Sequence, residues 1–177
     1  AAIGRMASEV RRIIARTREL SHGLYPIQLK QGGLPVALED LANIVSAHGG
    51  LSCMCQCDDS LHIADQAAVH LYRIAQEAVN NAVRHAKAGK IEICLMRERS
   101  TGNAESHINV LLRITDDGIG LPKRPPKGSG IGLQTMRHRA SVIGAIMEVG
   151  RRDGGGTVVT LSLPEQFNGV EECPPQI

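Results

Sequence analysis

At 177 residues the chain has room for one domain of ordinary size with an appendage, and too little for two full-sized domains. Twenty Lys and Arg against 18 Asp and Glu leave a net charge of +2, and one Phe, two Tyr and no Trp offer no platform for stacking bases, so neither nucleic acid nor a membrane surface is the expected partner. No apolar run reaches the ~20 residues of a spanning helix, the first ten residues lack a signal-peptide core, and five cysteines, an odd number, do not read as a disulfide framework; a soluble, cytoplasmic chain with reduced thiols is expected.

The first segment carries the most regular periodicity. Ile3, Met6, Val10, Ile13, Thr17, Leu20 and Leu24 are spaced alternately three and four apart, the seam of helices that pack along one another. Pro26 is expected to end that helix, "KQGGLP" (30–35) to form a linker, and Leu34, Leu38, Leu41 and Val45 to mark a second helix closed by "HGG".

The period then changes to two. Residues 51–57, "LSCMCQC", read as a strand with Cys53, Cys55 and Cys57 on one face, acting as small apolar side chains; the spaced cysteine pairs of a zinc site are absent. "DDS" (58–60) is a turn, a long helix follows over 64–86, and strands follow over 90–99 and 107–116. A loop rich in Gly and Pro fills 117–130, a helix spans 131–144, and strands at 145–151 and 157–164 flank a Gly-rich turn. Hairpin-linked strands together with helix-separated ones predict an α+β chain, with a mixed sheet carrying its helices on one face. The tail, 168–177, reads as frayed.

Three features bear on chemistry. On the long helix, Leu71, Ile74, Ala75, Ala78, Ala82 and Ala86 form an apolar stripe, whereas Arg73, Glu77, Asn81, Arg84 and His85 share a polar face. Glu77 and Asn81 are one turn apart, so a carboxylate and an amide oxygen address one volume, a donor set Mg²⁺ accepts alongside phosphates; a merely solvated face is the alternative. On strand 107–116, Asp116 continues the parity of Ile108, Val110, Leu112 and Ile114 and is aimed at the apolar side, where it needs a donor; on the last strand Thr157 shares parity with Val159, Leu161 and Leu163. An Asp capping a turn before Gly118 and a Thr opening a strand would produce the same pattern. Third, Gly118, Gly120, Gly128, Gly130 and Gly132 permit close backbone approach to an anion, and a helix beginning near Ile131 would offer free N–H groups. Lys123, Arg124 and Lys127 read as solvated loop cations, and neither a P-loop nor a G-x-G-x-x-G fingerprint occurs.

"EAVNNAVRHA", "DDGIG", "GSGIGL" and "GGGTVVTLSLP", in this order, resemble the N, G1, G2 and terminal boxes of the ATP-binding domain shared by sensor histidine kinases, DNA gyrase B, Hsp90 and MutL, over about residues 50–164. "RELSHGLYPIQLKQGGLPVALEDLA" and "LYRIAQEAVNNAVRHA" further resemble the NarX/DegS/DesK type of sensor kinase. The resemblance implies a two-layer α/β sandwich with a mixed, mostly antiparallel sheet (the Bergerat fold), divided as 1–30 from a dimerisation hairpin, 31–167 the ATP-binding domain and 168–177 a tail. It implies ATP and Mg²⁺ as cofactors. Asp116 would receive the adenine amine, with Thr157 completing a water-mediated contact; Asn81 would hold Mg²⁺; Glu77 would stand near the γ-phosphate as the catalytic polar residue. Arg84 and His85 would flank the phosphates, and Gly118, Gly120, Gly130, Gly132 and Leu133 would bound a mobile lid, with mobility expected over 121–129. The implied partners are a second copy through the helical domain and a response regulator, with no nucleic acid and no direct membrane contact. His22, His48, His62, His70, His85, His107 and His138 all lack the following acidic residue common at the phosphorylated histidine, so the acceptor helix is expected to lie outside this chain. A serine kinase of the anti-sigma-factor type, or a non-catalytic nucleotide sensor on the same fold, are the alternatives.

Overall fold

The computed structural model describes residues 27–47, 50–100, 107–121 and 131–164. The heptad helix, the loop residues 122–130 with Gly128 and Gly130, and the tail therefore lie outside the described residues.

Leu34, Leu38 and Leu41 recur at helical spacing and are buried on α1, Ile27–Ser46. The expected linker over 30–35 shrinks to a kink. Helical backbone already precedes Gly33, which alone leaves helical geometry (φ 71, ψ −167), and Pro35 sits in the first turn after that break, where a missing N–H loses no helical bond. β1, Ser52–Cys57, alternates as its sequence predicts: Cys53 is buried, Cys55 and Cys57 half-buried, and Met54 exposed. Burial, then the neighbouring Cys55, pushes the Cys53 thiol up to about 11. In the turn after β1, Asp58 Oδ1 accepts from both the backbone N–H and the hydroxyl of Ser60, and the next helix starts only at Asp65.

α2 spans Asp65–Asn81 and continues as a π-turn over Ala82–Ala86; then come β2, Lys90–Ser100, and β3, His107–Asp116. α3 covers Ile131–Val142, and the hairpin of β4, Ile146–Arg151, and β5, Thr157–Pro164, completes the described chain. The sheet order is β1-β2-β3-β5-β4, with β1 parallel to β2 and every other pair antiparallel.

This is the expected α+β architecture, and its core follows from parity. Ile91, Ile93 and Leu95 of β2, Val110, Leu112 and Ile114 of β3, and Val159, Leu161 and Leu163 of β5 are buried, and Leu71, Ile74, Ala75 and Ala78 of α2 belong to the same apolar cluster. Truncating one such side chain, Leu71→Ala for instance, removes about 2–5 kcal/mol of stability through lost burial and the cavity left behind. Packing of this kind makes β3 and α2 rigid supports for whatever their polar residues hold.

Candidate functional site

Asp116 is the one buried charged side chain among the described residues, 6% exposed at the end of β3. Its parity aims it into the apolar layer, and Gly118 N–H donates to its Oδ1 at 2.9 Å. The register of β3 with β5, Asn109↔Pro164 to Thr115↔Val158, places Thr157 opposite Asp116 when extended by one pair, and Thr157 is half-buried. Two polar side chains on inward-facing positions of adjacent strands thus come together, as strand parity predicts.

α2 supplies the second group. Glu77 and Asn81 are both half-buried, one turn apart at the edge of the core stripe. Beyond Asn81 the α-helical spacing fails. Ala82–Ala86 form a π-turn ending at Lys87, which takes a left-handed conformation (φ 51, ψ 37). The wider turn slips the phase by a residue, so Arg84 and His85 do not simply extend the Glu77/Asn81 stripe; both are exposed.

Close backbone approaches join these parts. A Cβ on Gly132, in the first turn of α3, would overlap Glu77 Oε1 and lie 3.6 Å from Asn81 Nδ2. Leu133 beside it is half-buried against the core. Gly118 sits against Ala86, where a Cβ would collide with the Ala86 carbonyl oxygen, and Ile119 N–H donates to that oxygen at 2.8 Å. Gly120 (φ 72) lies by Gly156, and the Leu121 carbonyl accepts from Arg151 Nε at 2.7 Å. Of the site residues read from sequence, Glu77, Asn81 and Gly132 therefore form one group, and Asp116, Gly118, Gly120 and Thr157 another. Gly118 connects the second group to the end of the π-turn bearing Arg84 and His85. Gly130 lies outside the described residues.

Sequence reasoning missed several features. Asp117 accepts at one oxygen from Gly89 N–H (2.8 Å) and Lys90 N–H (2.9 Å), and these bonds, Lys90's first, hold its carboxyl below the usual carboxylate range. Nothing in the local sequence named a partner 27 residues away. His70 of α2 has an Nδ1 that is buried without a hydrogen-bond partner; burial first, then Arg139 and His138 of α3, hold its pKa below the ordinary histidine value. Its spacing in the sequence carried no signal for either fact.

Residues 66–166 match the family described as histidine kinase-, DNA gyrase B-, and HSP90-like ATPase. Among curated proteins, the chain is similar to the sensor histidine kinase LiaS of Bacillus subtilis, 31% identical over 147 residues covering 83% of this chain and 38% of that protein. It is also similar to the nitrate/nitrite sensor protein NarX of Escherichia coli, 30% identical over 168 residues covering 93% of this chain and 26% of that one. The chain thus spans well under half the length of these relatives. A histidine kinase domain from the blue-light activated kinase of Erythrobacter litoralis EL346 shares the fold, with a TM-score of 0.60 and 20% identity over 82% of this chain and 73% of that one.

Proposed function

The chain belongs to the histidine kinase-, DNA gyrase B-, and HSP90-like ATPase family, and from that premise we propose that it is the catalytic domain of a two-component sensor histidine kinase, transferring the γ-phosphoryl of ATP to a histidine on a helical domain. The observation that carries this reading is the buried Asp116 carboxylate, set among apolar side chains with a single N–H donor from the described residues. A buried carboxylate in such surroundings favours a ligand that brings its own donor, and the exocyclic amine of adenine is one.

In this reading Asp116 accepts the adenine amine and Thr157 adds a hydroxyl contact through water. The phosphates run toward α2 and the start of α3, where free N–H groups of the first helical turn favour negative charge. Arg84 and His85 flank the phosphate chain. Glu77, near the γ-phosphate, accepts the proton of the incoming imidazole and so raises its nucleophilicity. The Asn81 side-chain oxygen, one turn from Glu77, would hold a nucleotide-borne Mg²⁺, which would offset phosphate charge. Gly118 and Gly120 on one side and Gly130 and Gly132 on the other bound the lid that closes over the nucleotide.

The intact protein would act as a homodimer through its helical domain and pass the phosphoryl group to a response regulator, in the cytoplasm. No helix among the described residues is long and apolar enough to cross a membrane. The acceptor is assigned to a helix outside this chain because none of its seven histidines precedes an acidic residue. Calorimetric titration with Mg·ATP, followed by incubation with γ-labelled ATP, tests both halves. The chain alone binds ATP and stays unlabelled; absence of binding would overturn the reading, and an acid-labile phosphohistidine on this chain alone would overturn the placement of the acceptor.

A further inference from the structure

Successive carboxylates at the end of β3 do different work. Asp116 turns inward, whereas Asp117 is exposed and reaches across to the turn after α2, where its Oδ1 accepts from Gly89 N–H at 2.8 Å and Lys90 N–H at 2.9 Å. Two backbone bonds lie at the same junction, Asp117 N–H to Lys90 O at 3.2 Å and Ile119 N–H to Ala86 O at 2.8 Å. The 86–90 turn ends the π-turn that carries Arg84 and His85, and its first residue beyond that turn, Lys87, holds a left-handed backbone that few L-residues adopt. An exposed side chain thus adds two bonds to the backbone bonds that tie this turn to the strand end bearing Asp116.

We propose that Asp117 is a positioning residue for the nucleotide: by holding the 86–90 turn to the end of β3 it fixes the span between the base contact at Asp116 and the phosphate-side residues Asn81, Arg84 and His85. This rests on the function proposed above. It makes Asp117 matter for ligands that occupy both ends of the site at once, and not for a ligand that occupies the base end alone. Oδ1 serves as an acceptor only, so the neutral amide of asparagine can replace it through its carbonyl oxygen, whereas alanine cannot.

The test uses the full chain and calorimetry with Mg·ATP and with adenosine. Asp117→Ala weakens ATP binding about five- to tenfold, as expected for losing two hydrogen bonds that hold a site in register, and leaves adenosine binding within about twofold of wild type. Asp117→Asn restores ATP binding to within about twofold, and amide exchange at Gly89 and Lys90, fast in the alanine variant, is again slow. Equal weakening of ATP and adenosine, or an alanine variant indistinguishable from wild type, overturns the proposal while leaving the functional reading intact. A wild-type chain that binds neither ligand overturns both.

Discussion

Gly132, opening α3, lies so close to Glu77 of α2 that a β-carbon there would overlap the Glu77 carboxylate oxygen and stand 3.1 Å from its Cδ. The two residues are 55 positions apart, and their contact brings the start of α3 onto the helix carrying the proposed catalytic carboxylate. In Gly132→Ala the atom that must give way is the far end of a flexible side chain, so the fold survives and the carboxylate moves. The melting temperature is expected to stay within a few degrees, while phosphoryl transfer to a separately supplied helical domain slows about ten- to a hundredfold, because misplacing a reacting group by an ångström is that costly. Transfer at the wild-type rate would show that Glu77 does not act from this position.

Glu77→Gln separates chemistry from binding. The amide keeps the shape and loses the basicity, so transfer falls about a hundredfold, and ATP affinity measured by calorimetry changes less than about threefold. A loss confined to affinity would assign Glu77 to binding.

Asp116→Asn keeps an oxygen for the Gly118 N–H but can turn an amide donor toward the adenine amine. ATP affinity is expected to fall about ten- to a hundredfold, with no loss of thermal stability, because the change removes a buried charge and adds no volume. Unchanged affinity would remove Asp116 from the site.

Gly156, just before β5, has φ 97, and a β-carbon there would collide with the Asp116 carbonyl oxygen, a backbone atom unable to swing aside. Gly156→Ala is expected to destabilise the fold by about 2–4 kcal/mol in chemical denaturation. Gly154 has a similar φ of 86 with nothing near its missing side chain, so Gly154→Ala pays only backbone strain, about 1 kcal/mol. Equal losses at the two positions would show that crowding at Asp116 is not the cause.

His70 makes stability depend on pH. Burial and the facing Arg139 and His138 hold its folded-state pKa below the value near 6.5 of an unfolded chain, so the folded state prefers the neutral ring. Its contribution is fully present above pH about 6.5 and is lost as pH falls below that value toward the folded-state pKa. Thermal melts from pH 7.5 to 5 should therefore show a smaller acid decline in His70→Gln than in wild type; parallel curves would show that His70 does not titrate on unfolding.

Much of the site was legible because periodicity records which way each side chain leaves its own backbone. Period two put Asp116 with Val110, Leu112 and Ile114, and it is buried with them; on the long helix Leu71, Ile74 and Ala78 are buried, and Glu77 and Asn81 are half-buried at the edge of their stripe. The same regularity misled where local geometry departs from it. The π-turn at Ala82–Ala86 broke the spacing that would have carried Arg84 and His85 along the stripe, and Gly33 broke α1 at one residue where a six-residue linker was expected.

By itself, the sequence determined the order of the strands and helices, the inward parity of Asp116 and Thr157, and the four glycine- and asparagine-bearing boxes that mark the family. Tertiary structure alone decided which distant segments touch: Gly132 on Glu77, Gly118 on Ala86, and Asp117 on Gly89 and Lys90. The reason is physical. A residue's direction is set by its neighbours along the chain, within a turn or a pleat, whereas contact between segments tens of residues apart depends on sheet register and helix packing, which the whole core fixes together.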